Sequence, residues 1–200
     1  DSLDMTYDMI EFMSSGNRTD FGDIIANASC RSVATVENHI RGYFAGGEGT
    51  GQSPGTQNQN ITIKGFANMS ESLTFGELSA QSKDGAGVGS HTRGVFVLGG
   101  IAASPEAFSN TIEFITLSTS GEVTDFGDAT SNTGAIQNNS ASNTIRGVYH
   151  NARTANGGSV KNIIEFITIA TTGNATDFGD LNYSSRQGCG FSDSHGGLPL

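Results

Sequence analysis

Apolar and polar residues alternate along this chain in short bursts, never with the sustained 3.6-residue period and caps of an amphipathic helix. In Thr111 to Leu117, the residues Ile112, Phe114 and Thr116 alternate with Glu113, Ile115 and Leu117. One side of such an extended segment is strongly apolar and the other mixed, as expected where sheets stack on both faces. The segment Ile163-Ile164-Glu165-Phe166-Ile167-Thr168-Ile169 repeats the pattern, Thr6 to Phe12 occupies the same place earlier, and Asn60 to Phe66 is a weak version interrupted by Gly65. Short runs rich in β-branched and aromatic residues, bounded by Gly, Ser, Asn and Asp, predict strands. Almost no helix is expected.

The strands recur in a fixed order. Thr19-Asp20-Phe21-Gly22-Asp23 returns as Thr124-Asp125-Phe126-Gly127-Asp128 and as Thr176-Asp177-Phe178-Gly179-Asp180, with a worn copy at Leu73-Thr74-Phe75-Gly76-Glu77. The phenylalanines at 21, 75, 126 and 178 are spaced by 54, 51 and 52 residues. A second element, Ile40-Arg41-Gly42-Tyr43-Phe44, keeps the same period through Arg93-Gly94 and Arg146-Gly147. Each unit thus supplies four strands: a small-residue strand such as 131–140, the Arg-Gly strand, the Ile-Glu-Phe strand, and a short Thr-Asp-Phe-Gly-Asp strand. One four-stranded sheet cannot bury both faces alone. Four strands repeating at this period predict an all-β chain, a β-propeller of about four four-stranded antiparallel blades. The glycine-rich first strands fit the narrow space near a propeller axis.

A single domain over 1–200 follows, with repeat units at about 27–78, 79–130 and 131–182. The phase of the repeat places the third and fourth strands of one unit in 1–26 and a further first and second strand in 183–200. These halves are complementary, so the expectation is a ring closed by a shared blade, with 184–198 pairing along Thr6 to Phe12 and no open sheet edge.

The run Ile163 to Leu181 resembles the kelch-like propeller repeats of tail and appendage proteins of marine phages, notably those infecting cyanobacteria. The resemblance covers essentially the whole chain, with the second unit departing at Gly65, Thr74 and Glu77. It implies a virion structural protein such as a tail fibre, nozzle or surface adhesin, made in the host cytoplasm, and supplies no catalytic residues. The partners it implies are other virion proteins and a host surface receptor or glycan, with a homo-oligomer as one form of assembly.

Composition narrows the alternatives. The net charge is −10, with 15% charged residues, which argues against nucleic-acid binding because that needs basic stripes. No apolar run approaches the roughly 18 residues of a membrane span. No cofactor is expected. Cys30 and Cys189 form no metal motif. Each follows a Phe-Gly-Asp motif closely, which places both in innermost strands as small buried thiols, near one another across a closed ring but without a disulfide.

The recurring residues read as scaffold. Asp-Phe-Gly occurs three times and lacks the lysine and glycine-rich loop that accompany it in kinases. Phe21, Phe75, Phe126 and Phe178 are expected to pack between blades. The glycine permits a tight backbone, and Asp20, Asp125 and Asp177 cap the turn through their own side chains. Calcium binding by the aspartate pairs is disfavoured, because no regular ligand loop is present. Arg41, Arg93 and Arg146 are expected to bridge to repeat carboxylates or loop carbonyls. His39, His91, His150 and His195 do not share one repeat position, and Ser192, Asp193 and His195 are merely adjacent, so no catalytic residue is assigned. Where units differ is a better guide. The loops between second and third strands contain Glu48, Gln52 and Gln57 in one unit, Glu106 and Phe108 in the next, and Arg153 and Asn156 in the third. Variable loops on a rigid scaffold are the usual place for recognition. The resulting expectation is a non-enzymatic virion module. The alternative is a carbohydrate-binding propeller lectin outside a virion, with a propeller hydrolase third.

Overall fold

The computed structural model describes residues 6–11, 15–23, 29–49, 57–68, 71–101, 107–119, 121–134, 136–154 and 158–190. All regular structure among them is β. The strands are β1 (Thr6–Met9), β2 (Thr19–Asp23), β3 (Ser29–Arg31), β4 (Ala34–Glu37), β5 (Arg41–Ala45), β6 (Glu48–Gly49), β7 (Asn58–Gly65), β8 (Leu73–Lys83) and β9 (Ala86–Gly89). There follow β10 (Arg93–Val97), β11 (Gly100–Ile101), β12 (Ala107–Thr116), β13 (Thr124–Thr133), β14 (Ser140–Ser142), β15 (Arg146–Arg153), β16 (Val160–Thr168) and β17 (Thr176–Asp180).

Three four-stranded antiparallel sheets emerge. Sheet A has the order β4-β5-β7-β8, sheet B β9-β10-β12-β13 and sheet C β14-β15-β16-β17. A hairpin, β1-β2, supplies the outer two strands of one more unit. The short β11 pairs with both β8 and β12, joining A and B into one nine-stranded network. A register shift sits opposite the motif glycine in each sheet, between Ile61/Thr62, Ile112/Glu113 and Ile164/Glu165. Gly127 and Gly179 hold φ near +144° and +141° there, a conformation that L side chains rarely adopt. The insertion of one residue at that point is a β-bulge.

The core lies between sheets rather than within one. Tyr43, Phe75, Leu78, Phe96, Ile115 and Leu117 form the cluster between A and B. Val88, Val95, Ile112, Phe126, Tyr149, Ile167 and Ile169 form the cluster between B and C. Neighbouring residues of β10, Val95 and Phe96, therefore feed different clusters, as the two-residue period of a strand dictates. Close approach at the inner strands requires glycine: a Cβ on Gly87 would lie 2.0 Å from the Thr35 carbonyl oxygen. Seryl hydroxyls knit the same strands, with Ser140 donating to the Gly87 carbonyl at 2.8 Å. Asn138 reaches beyond its neighbour to sheet A, accepting from the Thr35 amide at 3.0 Å.

Several expectations are corrected. The fourth strand is short only in β2 and β17; β8 and β13 run for 11 and 10 residues. Ser131 to Thr133 continue β13, and the inner strand of sheet C is confined to Ser140–Ser142. Thr and Ser here satisfy the outer ladder as well as an inner one, so composition did not mark the boundary. Cys30 lies in β3, paired with β6 rather than in an innermost strand. Cys189 is exposed, not buried. The described part of 184–198 does not pair with β1, which pairs with β2. Ser185 and Gly190 donate instead to the Lys161 and Asn138 carbonyls, at 3.2 and 3.3 Å. Residues 191–198 lie outside the described residues.

Candidate functional site

The side chains with most chemical potential sit in the seams between sheets. Strand alternation puts Glu113 and Glu165 on the same side as Ile115 and Ile167, towards the preceding sheet. Both glutamates are buried. Glu113 Oε2 accepts from the Ser79 amide at 3.2 Å. Its repeat equivalent Glu165 accepts from the Thr130 amide at 3.3 Å and also from the Thr130 hydroxyl, at 2.5 Å. Tyr149 donates to Glu165 Oε2 at 2.6 Å, and Asn151 Nδ2 donates to Oε1 at 3.1 Å. A buried carboxylate with several donors is compensated for lost hydration. Asn151 Oδ1 remains without a donor. Burial pushes the Tyr149 phenol far up, and the facing Glu165 carboxylate adds to this.

His150 extends this seam. It is buried, with Nδ1 accepting from Asn139 Nδ2 and Nε2 donating to the Lys161 carbonyl, both at 3.1 Å. The assignment follows because a carbonyl only accepts. Both nitrogens are thus committed to structure. His39 and His91 stack edge-on at 6.3 Å between ring centroids, at equivalent places in adjacent sheets. Among the described residues no three of His, Cys, Asp and Glu come together as a metal would require.

The repeat phenylalanines divide. Phe75 and Phe126 are buried, Phe21 is half-buried, and Phe178 is 53% exposed. The expectation that Phe178 is core is therefore corrected: no described segment covers it. Asp20 and Asp177 do cap their own turns, accepting from the amides of Gly22 at 2.8 Å and Gly179 at 3.1 Å. The arginines depart from the carboxylate pairing expected of them. Arg93 and Arg146 lie over the Phe114 and Phe166 rings at 4.2 and 4.3 Å, a cation–π arrangement. Arg93 also donates to the Ile169 carbonyl of the next sheet at 2.9 Å, the loop-carbonyl contact that was expected. Arg41 is exposed on β5.

Lys64 takes the place that Ile115 and Ile167 hold in the other units. It is buried, 4.6 Å from the Phe21 centroid and 5.8 Å from that of Tyr7. Desolvation lowers its pKa, while Asp20 and Asp23 favour its charge. A cation thus stands in the seam between the hairpin and sheet A where the others have aliphatics, a substitution visible in sequence only after alignment of the weak second unit.

The described members of the recognition set are drawn inward. Glu48 accepts from Lys83 at 2.6 Å in a largely buried ion pair, and Gln57 is buried. The Phe108 ring lies across Gly134. Arg153 Nε donates to the Gly158 carbonyl at 3.2 Å. Gln52, Glu106 and Asn156 lie outside the described residues. A depression beside Phe75, Phe114 and Glu122 has a volume of about 190 Å³, smaller than the roughly 300 Å³ at which ligand pockets begin.

No family model matches the sequence, and no curated protein matches it. Among solved structures the fold resembles that of YjhT, a kelch-type β-propeller, with a TM-score of 0.65 at 8% identity. The match covers 85% of this chain and 57% of that one, so the chain spans little more than half of the propeller it resembles. At this identity the likeness concerns the fold alone: antiparallel sheets stacked as propeller blades are.

Proposed function

We propose that this chain is a non-enzymatic virion module, a propeller scaffold acting in assembly or host attachment as part of a tail fibre, nozzle or surface adhesin. One observation carries the non-enzymatic part of the reading. The buried carboxylate, phenol, amide and imidazole groups of the seam between B and C are engaged with other protein groups. The Thr130 hydroxyl, on an exposed residue, does donate to Glu165, but the seam's imidazole does not serve it as a base: both His150 nitrogens are taken up by Asn139 and the Lys161 carbonyl. The virion setting rests on the resemblance of Ile163 to Leu181 to marine phage appendage repeats. Other virion proteins and a host receptor or glycan are the partners in this proposal, met by the loops joining β5 to β7, β10 to β12 and β15 to β16. The propeller has about four blades, and the fourth is composite, with the described residues up to Gly190 on its inner side and β1 and β2 as its outer strands. Gly190, hydrogen-bonded beside β14, begins that blade.

Immunogold labelling of purified particles with antibody against the chain tests the proposal. Labelling at one tail or appendage position is expected. Chain found only free in the lysate overturns the virion reading. Micromolar binding to one defined sugar on a glycan array, by free chain without labelled particles, favours the lectin instead.

A further inference from the structure

The turn that joins the innermost strand of a unit to its second strand is built the same way three times. In sheet A, Asn38 Oδ1 accepts from the Ile40 and Arg41 amides, both at 3.0 Å. In sheet B, Ser90 Oγ accepts from the Thr92 and Arg93 amides at 3.5 and 3.3 Å. In sheet C, Asn143 Oδ1 accepts from the Ile145 and Arg146 amides at 2.9 and 2.7 Å. The backbone closes each turn as well, from the Asn38, Ser90 and Asn143 amides to the Arg41, Arg93 and Arg146 carbonyls. The residue after the cap therefore stands at a fixed apex. It is His39 in sheet A, His91 in sheet B and Thr144 in sheet C.

Two of these apices carry imidazoles, and the packing of A on B brings them together. The sheets approach so closely beside the turns that a Cβ on Gly94 would lie 2.6 Å from Val36 Cγ2. The His39 and His91 ring centroids are 6.3 Å apart, with the ring planes at 62°. Neither imidazole has a hydrogen-bond partner among the described residues, whereas His150 commits both its nitrogens. His39 is exposed and His91 half-buried, so solutes reach the pair. Arg93, two residues on, is turned to the Phe114 ring and to the Ile169 carbonyl of sheet C.

We infer that His39 and His91 form an exchangeable site for a borderline divalent cation (Zn²⁺, Ni²⁺ or Cu²⁺) that clips sheet A to sheet B. Imidazole suits these ions, whereas Ca²⁺ and Mg²⁺ take carboxylate, carbonyl and water oxygens. Zinc–imidazole bonds of roughly 2.0–2.1 Å to one nitrogen of each ring hold the ring centres roughly 5–6 Å apart. Small rotations of the two side chains close the difference from the 6.3 Å found. Two protein ligands are fewer than a resident zinc ion takes, in keeping with the lack of any larger group of His, Cys, Asp and Glu among the described residues. Water fills the remaining positions, so the ion exchanges. The net charge of −10 favours the approach of cations. Thr144 leaves the seam between B and C without an equivalent site. The inference concerns sheets A and B alone and does not depend on the virion setting.

The test uses the full chain with Cys30→Ser, Cys189→Ser and His195→Gln, which removes both thiols and the one other imidazole besides His150. Titration calorimetry with ZnCl₂, in excess MgCl₂ to fill acidic surface sites, should show one Zn²⁺ per chain. His39→Gln and His91→Phe should each weaken binding at least about tenfold, the lower end of what is lost when even a residue that merely hydrogen-bonds a ligand is removed. His91→Phe preserves an edge-on ring contact and removes only the nitrogen donors. Zinc affinity unchanged in both variants would place the ion on the acidic surface and overturn the inference, as would the lack of a one-to-one site. Electron paramagnetic resonance with CuCl₂ gives a second reading that needs neither variant to fold. The chain that retains His39 and His91 should show coupling of Cu²⁺ to two imidazole nitrogens. Coupling to one nitrogen, or oxygen ligation alone, sinks the idea.

Discussion

Two stretches of this molecule have the same five letters and opposite fates. Thr-Asp-Phe-Gly-Asp at 124–128 buries its phenylalanine to 2% exposure, while the same residues at 176–180 leave theirs 53% exposed. The strands have the same bulge, and each Phe makes the same edge-on contact within its own sheet, to Phe114 at 6.2 Å and to Phe166 at 6.0 Å. What differs is the neighbour. Sheet C covers the first copy, and no described segment covers the second. The motif therefore encodes half of an interface, and its energetic value depends on whether the next unit arrives. This is the physics of a repeat protein, in which stability is a sum of unit and nearest-neighbour terms.

The sharpest way to break the comparison is to truncate both rings. Phe126→Ala should cost about 3–5 kcal/mol, the usual range for a buried aromatic. Phe178→Ala should cost less than about 1 kcal/mol, the level of ordinary surface changes. Urea unfolding measures both. Equal losses would mean that Phe178 is covered after all.

The seams themselves differ, and a smaller effect should expose it. Glu165 receives the Thr130 amide and hydroxyl, the Tyr149 hydroxyl and the Asn151 amide, whereas Glu113 receives the Ser79 amide. Glu165→Ala leaves several buried donors unsatisfied and should cost about 3 kcal/mol, against about 1 kcal/mol for Glu113→Ala. Unfolding curves that rank the two the other way would show that the network does not hold B to C.

Sequence carried the architecture further than the site. The strands, their order and the unit period were legible because Phe-Gly, Arg-Gly and Ile-Glu-Phe recur with fixed spacing. The innermost glycines were legible because crowding leaves few alternatives. Strand limits were not, since Ser131 to Thr133 suit an outer ladder as well as an inner one. Nor was the partner of the repeat arginine: Arg93 pairs with Thr116 and reaches diagonally across the β10–β12 ladder to the Phe114 ring, and nothing local marks a guanidinium for a ring rather than a carboxylate. The Glu165 network joins Thr130, Tyr149 and Asn151, residues of two sheets whose proximity exists only after stacking. Repeat glutamates on an otherwise apolar strand were the one available sign. Exposure of Phe178 lay beyond any local pattern, because its sequence is that of a buried copy.

The smallest effect concerns pH, and it again sets the covered seam apart. Burial raises the phenol pKa of Tyr149, with Glu165 adding to it, and burial also raises those of Tyr43 and Tyr7. In the unfolded chain these groups ionise near pH 10. Their raised folded values mean that the unfolded state gives up protons first. The stability they confer is complete below about pH 10 and is lost as pH climbs beyond it, by up to about 1.4 kcal/mol per pH unit for each group. Lys64 acts in the opposite sense. Its lowered pKa makes the folded state release a proton first, so it adds stability as pH rises towards the ordinary lysine value near 10.4. Placing Lys64→Met in the background removes that opposing contribution. Urea unfolding at pH 9, 10 and 11 should then show stability falling above pH 10. Adding Tyr149→Phe should flatten the fall by about one proton, although it lowers stability at neutral pH through loss of the bond to Glu165. An alkaline slope unchanged by Tyr149→Phe would mean that this phenol ionises as readily in the folded chain as in the unfolded one, and that the B–C seam is open to water.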